Sequence, residues 1–260
     1  MRSSRFSYAR RANMGRVLSW FSCGSASAVA AKLVVEKYGD RCEVLYCDTL
    51  AYEHPDNTRF MADVEQWIGV PIKILKSDAY TDIFDVFTRT RWLVGPRGAR
   101  CTTELKKNVR TAYQRPDDLH VFGLTADEAG RAGRFLRTNH DLSIELPLVA
   151  AGITKSQCHQ RIAAAGIAAP MMYRLGYKNN NCIGCVKGGM SYWNKIRRDF
   201  PEAFERMAKM ERELDAAICK REKLANGKRT RVRVFLDELK PDMQDNVPLD
   251  MECGVTCQVL

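Results

Sequence analysis

Over the first 150 residues, short apolar runs alternate with amphipathic stretches. Residues 16–21 (RVLSWF) read as a buried strand. Six small residues follow: Ser22, Cys23, Gly24, Ser25, Ala26 and Ser27. Residues 28–38 then carry helical spacing, with Val29, Leu33 and Val34 on one face and Gly39 as the stop. Further along, strands are predicted over 42–47 (CEVLYC), 71–75, 119–123 (LHVFG) and 142–148, and helices over 57–68 and 102–113. Strands alternating with helices predict an α/β fold whose mostly parallel sheet is joined by right-handed crossovers.

The rhythm changes near Thr154. A helix is predicted over 154–165 with Thr154 as its N-cap, then a loop over 179–190 carrying two cysteines. A long charged helix is predicted over 191–217, with Asn226-Gly227 breaking the charged stretch that follows. From Pro241 the tail has turn formers and little periodicity. The expected organisation is a basic, disordered extension over 1–13, a nucleotide-binding domain over 14–150, a helical segment over 151–240 and a cysteine-bearing tail over 241–260. No run of 18 apolar residues occurs, so neither a membrane span nor a membrane partner is expected.

Charge and cysteine content narrow the chemistry. The chain has 260 residues and a net charge of +10. Much of the excess lies in residues 220–233, at Lys220, Arg221, Lys223, Lys228, Arg229, Arg231 and Arg233. Such a stretch suits a polyanion, either nucleic acid or a multiply phosphorylated nucleotide; a solvated basic surface is the alternative. Residues 1–13 hold Arg2, Arg5, Arg10 and Arg11 and no acid, which fits a disordered extension or a transit peptide. Ten cysteines without an apolar secretory segment point to a reducing, cytoplasmic setting and to thiol or metal chemistry rather than a disulfide framework.

The small-residue loop between strand and helix places backbone N–H groups where phosphate oxygens can bind, and the Ser22, Ser25 and Ser27 hydroxyls add donors around Gly24. Asp48 and Thr49 end the second strand, and Pro55, Asp56, Asn57, Thr58, Arg59 and Phe60 open the next helix. Gly123, Leu124, Thr125, Ala126, Asp127 and Glu128 follow the fourth strand, with Arg131 and Arg134 behind them. Together these segments resemble the phosphoadenylyl-sulfate (PAPS) and adenylyl-sulfate (APS) reductase branch of the PP-loop superfamily. Residues 22–27 resemble its Ser-Gly-Gly-x-Asp-Ser loop, with Cys23 in place of a glycine and Ala26 in place of the aspartate. Leu50 stands where the family has the glycine of Asp-Thr-Gly. The resemblance implies a PP-loop, Rossmann-like sheet flanked by helices, with a helical C-terminal segment and a reactive tail. It implies an adenine nucleotide (APS, PAPS, or ATP with Mg2+) held by Ser22, Gly24, Ser25, Ser27, Asp48, Thr49, Lys106, Gly123, Leu124, Arg131 and Arg134.

The cysteines divide into two groups. Cys182-Ile183-Gly184-Cys185 has the spacing of a metal or iron–sulfur ligand pair and needs partners from elsewhere. Cys101, in RCTTELKK, resembles the cysteine-then-basic segment of APS reductases, which implies a [4Fe–4S] cluster on Cys101, Cys182 and Cys185. A fourth ligand would come from Cys253 or Cys257. Glu252-Cys253-Gly254 in the tail resembles the reductase Glu-Cys-Gly motif, with Thr256 at the family histidine. That implies Cys253 as the nucleophile on sulfur, Cys257 as a resolving thiol, and a thioredoxin- or glutaredoxin-like reductant. Cys42, Cys47, Cys158 and Cys219 are expected to be structural, the last two on helices, and the four histidines are expected to be non-catalytic. Tyr192 and Trp193 are candidates to shield a cluster or to pack a core. Two functions stay open: sulfonucleotide reduction, and ATP-dependent thiolation of nucleic acid, with residues 220–233 gripping the polyanion. Oligomerisation is left open as well.

Overall fold

The computed structural model describes residues 15–95, 98–225 and 228–243, and the backbone alone for 222–225 and 228–229. Cys253 and Cys257, the extension over 1–13 and most of the tail lie outside the described residues. In chain order the strands are β1 Val17–Phe21, β2 Cys42–Cys47, β3 Ile72–Leu75, β4 Val94–Gly95, β5 Gly98–Ala99, β6 Leu119–Phe122, β7 Ser143–Glu145, β8 Cys219–Ala225 and β9 Lys228–Val234. The first helices are α1 Ser25–Tyr38, α2 Asp56–Ile68 and α3 Ile83–Thr90, then α4 Arg100–Thr102, a π turn Thr103–Lys107 and α5 Asn108–Tyr113. They are followed by α6 Ala129–Thr138, α7 Pro147–Ala150, α8 Lys155–Ala164, α9 Met171–Arg174, α10 Met190–Asp199 and α11 Pro201–Leu214.

Five parallel strands make one sheet in the order β3-β2-β1-β6-β7, flanked by helices, which is the α/β class the pattern predicts. The central strand β1 is buried along its whole length. A parallel strand covered on both faces reads as a near-continuous apolar run, which is why VLSWF was legible. Phe21 packs on Tyr46 and Phe60, and Phe122 meets Phe135 edge-on.

The amino edge of this sheet is sealed by charge. Arg16, just before β1, donates to both carboxylate oxygens of Asp118 at 3.0 and 2.8 Å. It also donates to Glu43 at 3.2 Å and lies over the Tyr113 ring. A bidentate guanidinium–carboxylate pair with one buried partner fixes geometry well.

The described residues fall into two compact units that interleave along the chain. The first takes in the described parts of Met1–Cys47, Arg59–Leu75 and Arg110–Ala169, and so holds the parallel sheet. The second takes in those of Asp48–Thr58, Lys76–Val109 and Pro170–Leu260. Its apolar core gathers Phe87, Leu105, Tyr192, Trp193, Ile196, Phe204 and Met207.

The second unit departs most from the sequence pattern. The long helix expected over 191–217 is two helices, because Pro201 cannot continue α10 and instead opens α11. The basic stretch is strand, not helix: β8 and β9 pair antiparallel across Asn226-Gly227, and Cys219 lies on β8. The helix expected over 102–113 is interrupted by the π turn. Four helices were missed: α3 and α9 in the second unit, α6 and α7 in the first. The first is announced locally by Asp82, whose carboxylate accepts from Phe84 and Asp85 N–H at 2.7 and 2.9 Å. No helix among the described residues is long and apolar enough to cross a membrane.

Candidate functional site: the switch point of the parallel sheet

The chain runs from β1 outward through β2 and β3, then crosses to the other side of β1 for β6 and β7. The strand order therefore reverses between β1 and β6, and open α/β sheets bind ligands outside the carboxyl ends of the strands at that point. Residues 22–24 leave β1 there and residues 123–125 leave β6 there. The two loops meet closely. A Cβ on Gly123 would fall 2.7 Å from both the backbone N and Cα of Ser27, so only glycine fits.

The start of α1 is open. Gly24 is its N-cap with no side-chain cap, and the first helical bond runs from Ala28 N–H to the Gly24 carbonyl at 3.0 Å. The preceding N–H groups of the first turn have no acceptor within the helix and sit at the positive end of its dipole. Ser27 shapes the loop: its Oγ accepts from Ser22 N–H at 3.1 Å, donates to the Gly24 carbonyl at 3.0 Å and lies 3.2 Å from Ser22 Oγ. Cys23 holds φ at +54°, a left-handed conformation that glycine adopts without strain. This accounts physically for the glycine that the PP-loop pattern carries at that position. Ser25 Oγ is buried and has no hydrogen-bond partner among the described residues.

The loop after β6 is tied to α6. Thr125 and Glu128 form a capping box, with Thr125 N–H donating to Glu128 Oε2 at 3.1 Å. Glu128 Oε1 also takes Arg131 Nη1 at 2.5 Å, so one of the two arginines read as phosphate contacts is already ion-paired. Arg134 is exposed on α6. Sequence reasoning named Arg131 without its carboxylate partner, although Thr-x-x-Glu is a legible capping signal.

The remaining candidates lie in the second unit. Asp48 Oδ1 accepts from Leu50 N–H at 3.2 Å, and its other oxygen is 3.6 Å from Lys76 Nζ. Thr49 donates to Glu53 at 2.6 Å; Asn57 donates to the other oxygen of Glu53 at 2.6 Å and accepts from Asn180 at 2.7 Å. This buried amide–carboxylate chain was not anticipated. Lys106 is buried within the π turn, a local geometry that recurs at functional sites.

The loop from Cys182 to Cys185 is a packed structure. Both cysteines are buried, and Gly184 turns it at φ +75° against the Trp193 ring. Tyr192 Oη accepts from Cys185 N–H at 2.9 Å and donates to the Cys182 carbonyl at 3.2 Å. Burial holds the Tyr192 hydroxyl well above its usual range, so it stays protonated. Cys185 belongs to the apolar core of its unit, and Cys101, half-buried, packs against the same core. Among the described residues no three His, Cys, Asp or Glu side chains group as metal ligands. Cys101, Cys182 and Cys185 would be the thiolate ligands of an iron–sulfur cluster, were one held here.

Burial shifts two further thiols and the buried histidine away from their charged forms. None of the eight described cysteines forms a disulfide. Burial pushes the Cys42 thiol up to about 12 and Cys158 to about 11. Burial, reinforced by Arg110, pushes His120 down to about 4, and its Nδ1 accepts from the Trp20 indole at 3.0 Å.

No protein-family model matches the chain. An uncharacterized protein of Methanocaldococcus jannaschii is 26% identical over 205 residues, covering 76% of this chain and 42% of that protein. The chain thus matches less than half the length of that relative. What the fold defines is an α/β protein with a five-stranded parallel sheet, consistent with a Rossmann-like PP-loop arrangement.

Proposed function

We propose that the protein binds an adenine sulfonucleotide at the switch point of its first unit and reduces it to sulfite. The observation that carries this reading is the close approach of Gly123 to Ser27 beside the uncapped start of α1. That geometry offers backbone N–H groups to an anion at a place where parallel sheets take nucleotides. Residues 22–27 contain no carboxylate, and Ala26 stands where a metal-holding aspartate would. N–H donors hold a phosphosulfate without a metal, whereas cleavage of ATP calls for Mg2+ to be held near the phosphates.

The chemistry follows from Cys253, outside the described residues. Its thiolate attacks the sulfur of the phosphosulfate. An S–S bond forms, the S–O bond to phosphorus breaks, and the adenine nucleotide leaves with the electron pair on its phosphate oxygen. A dithiol reductant attacks Cys253 Sγ, releasing sulfite, and its second thiol closes a disulfide and regenerates the thiolate. The dithiol supplies two electrons to sulfur. The protein is assigned to the cytoplasm, where such thiols stay reduced.

Sulfite release from APS or PAPS with a thioredoxin-type dithiol tests this reading. Wild-type turnover that Cys253→Ser abolishes is expected; no sulfite from either nucleotide, or full activity in Cys253→Ser, contradicts it. A second reading, ATP-dependent thiolation of nucleic acid, is favoured by one observation: the basic β8–β9 ribbon. Pyrophosphate release from ATP that depends on added nucleic acid would support it instead.

A further inference from the structure

Residues 219–234 contain seven basic residues and one acid, Glu222, and no aromatic residue. They form a two-stranded antiparallel ribbon running in register from Cys219↔Val234 to Ala225↔Lys228. Among the described residues no third strand joins it. Its base is fixed. Cys219 and Val234 enter the apolar core of the second unit. The buried Glu211 carboxylate accepts from Ile218 N–H at 2.5 Å, just before β8, and from Leu236 N–H at 2.6 Å, just after β9.

Beyond that base most of the described side chains are exposed and cationic. Lys220, Arg221, Thr230, Arg231 and Arg233 are all exposed. The register sets Lys220 directly opposite Arg233, and like charges facing across a strand pair are destabilising. Arg233 has an exposed carboxylate, Asp215, at 3.8 Å. A ribbon shaped only for solvation gains from alternating sign; this one concentrates a single sign on a rigid mount.

From this placement we infer that the β8–β9 ribbon is an interface for duplex DNA, with Lys220, Arg221, Arg231 and Arg233 contacting phosphates. The major groove of B-form DNA, about 12 Å wide, admits a two-stranded ribbon. Strands of seven residues extend about 24 Å at roughly 3.4 Å per residue, enough to follow a groove. The deep, narrow major groove of A-form RNA does not accept such a ribbon. Single strands are held largely by stacking on aromatic rings, and residues 219–234 have none. The inference does not depend on the sulfonucleotide reading, because it is tested without nucleotide or turnover.

The test is fluorescence anisotropy of the full chain with a labelled duplex of about 20 base pairs, long enough for two helical turns, over a salt series. Four phosphate contacts give a salt slope that weakens binding about 100-fold between 50 and 200 mM salt. The variant Lys220→Gln/Arg221→Gln/Arg231→Gln is expected to bind at least tenfold more weakly at low salt, with a slope shallower by about 3. Arg115→Gln/Arg137→Gln, which removes exposed charge elsewhere, is expected to match wild type. Circular dichroism confirms that both variants fold. Equal affinity of the ribbon variant overturns the inference. So does tighter binding to single-stranded DNA or duplex RNA, or displacement by polyglutamate as readily as by unlabelled duplex.

Discussion

Two loops carry most of the candidate chemistry, and they are built in opposite ways. Residues 22–27 at the start of α1 are small and backbone-rich, with helix N–H groups that no side chain caps. The loop from Cys182 to Cys185 is enclosed: its N–H and carbonyl are engaged by Tyr192, its turn lies against Trp193, and both thiols are buried. The first loop leaves its helix start without a side-chain cap, as the proposed anion site requires. The second behaves as part of a core. Similar loop-forming residues thus pack closely on a second loop where the neighbour is glycine and become enclosed where the neighbours are aromatic.

The predictions that break or sharpen this contrast run from large to small. Trp193→Ala should destabilise the protein by about 4 kcal/mol, since it empties a fully buried site, while leaving nucleotide affinity in the folded protein unchanged. Chemical denaturation alongside nucleotide titration checks both halves, and lost affinity in the folded variant would break the contrast.

Glu211 extends the contrast to pH. Burial raises its carboxyl from 4.5 to about 7, against the pull of the two N–H groups it accepts from. A folded-state value above the unfolded one means stability that is present below pH 4.5 and lost as pH rises through 7. The loss amounts to about 3 kcal/mol at most. Glu211→Gln should flatten that dependence, as denaturant midpoints measured from pH 4 to pH 8 would show.

Tyr192→Phe leaves the Cys185 N–H without its acceptor, at a cost of about 2 kcal/mol. It should also speed alkylation of Cys182 and Cys185, read by peptide mass mapping. Ser27→Ala releases the Ser22 N–H and should weaken nucleotide binding roughly tenfold with about 1 kcal/mol of stability lost. If both variants changed nucleotide affinity equally, the two loops would not be separate in function.

The middle of the parallel sheet was legible because β1, β2 and β6 are buried almost throughout and read as apolar runs: β2 has the predicted limits 42–47. The phosphate loop was legible as six small residues, but Gly123 as its steric counterpart was not, since a close approach between residues about 100 apart leaves no local pattern. The β8–β9 ribbon was misread on its charge, although Arg231-Val232-Arg233-Val234 alternates with strand period; Asn226-Gly227, a hairpin signal, was taken only as a breaker. Cys182 and Cys185 were legible as a spacing. Tyr192 and Trp193 were read as shielding a cluster or packing a core, and both lie in the apolar core of the second unit.

The central claim is that the switch point between β1 and β6 holds an adenine nucleotide. Calorimetric titration of APS, PAPS and ATP into wild type and into Gly123→Ala tests it most directly. The account predicts binding by wild type and at least 100-fold weaker binding by a folded Gly123→Ala, because the added Cβ forces the loop away from Ser27 at the start of α1. Absence of binding by wild type to all three nucleotides, or undiminished binding by Gly123→Ala, would contradict it.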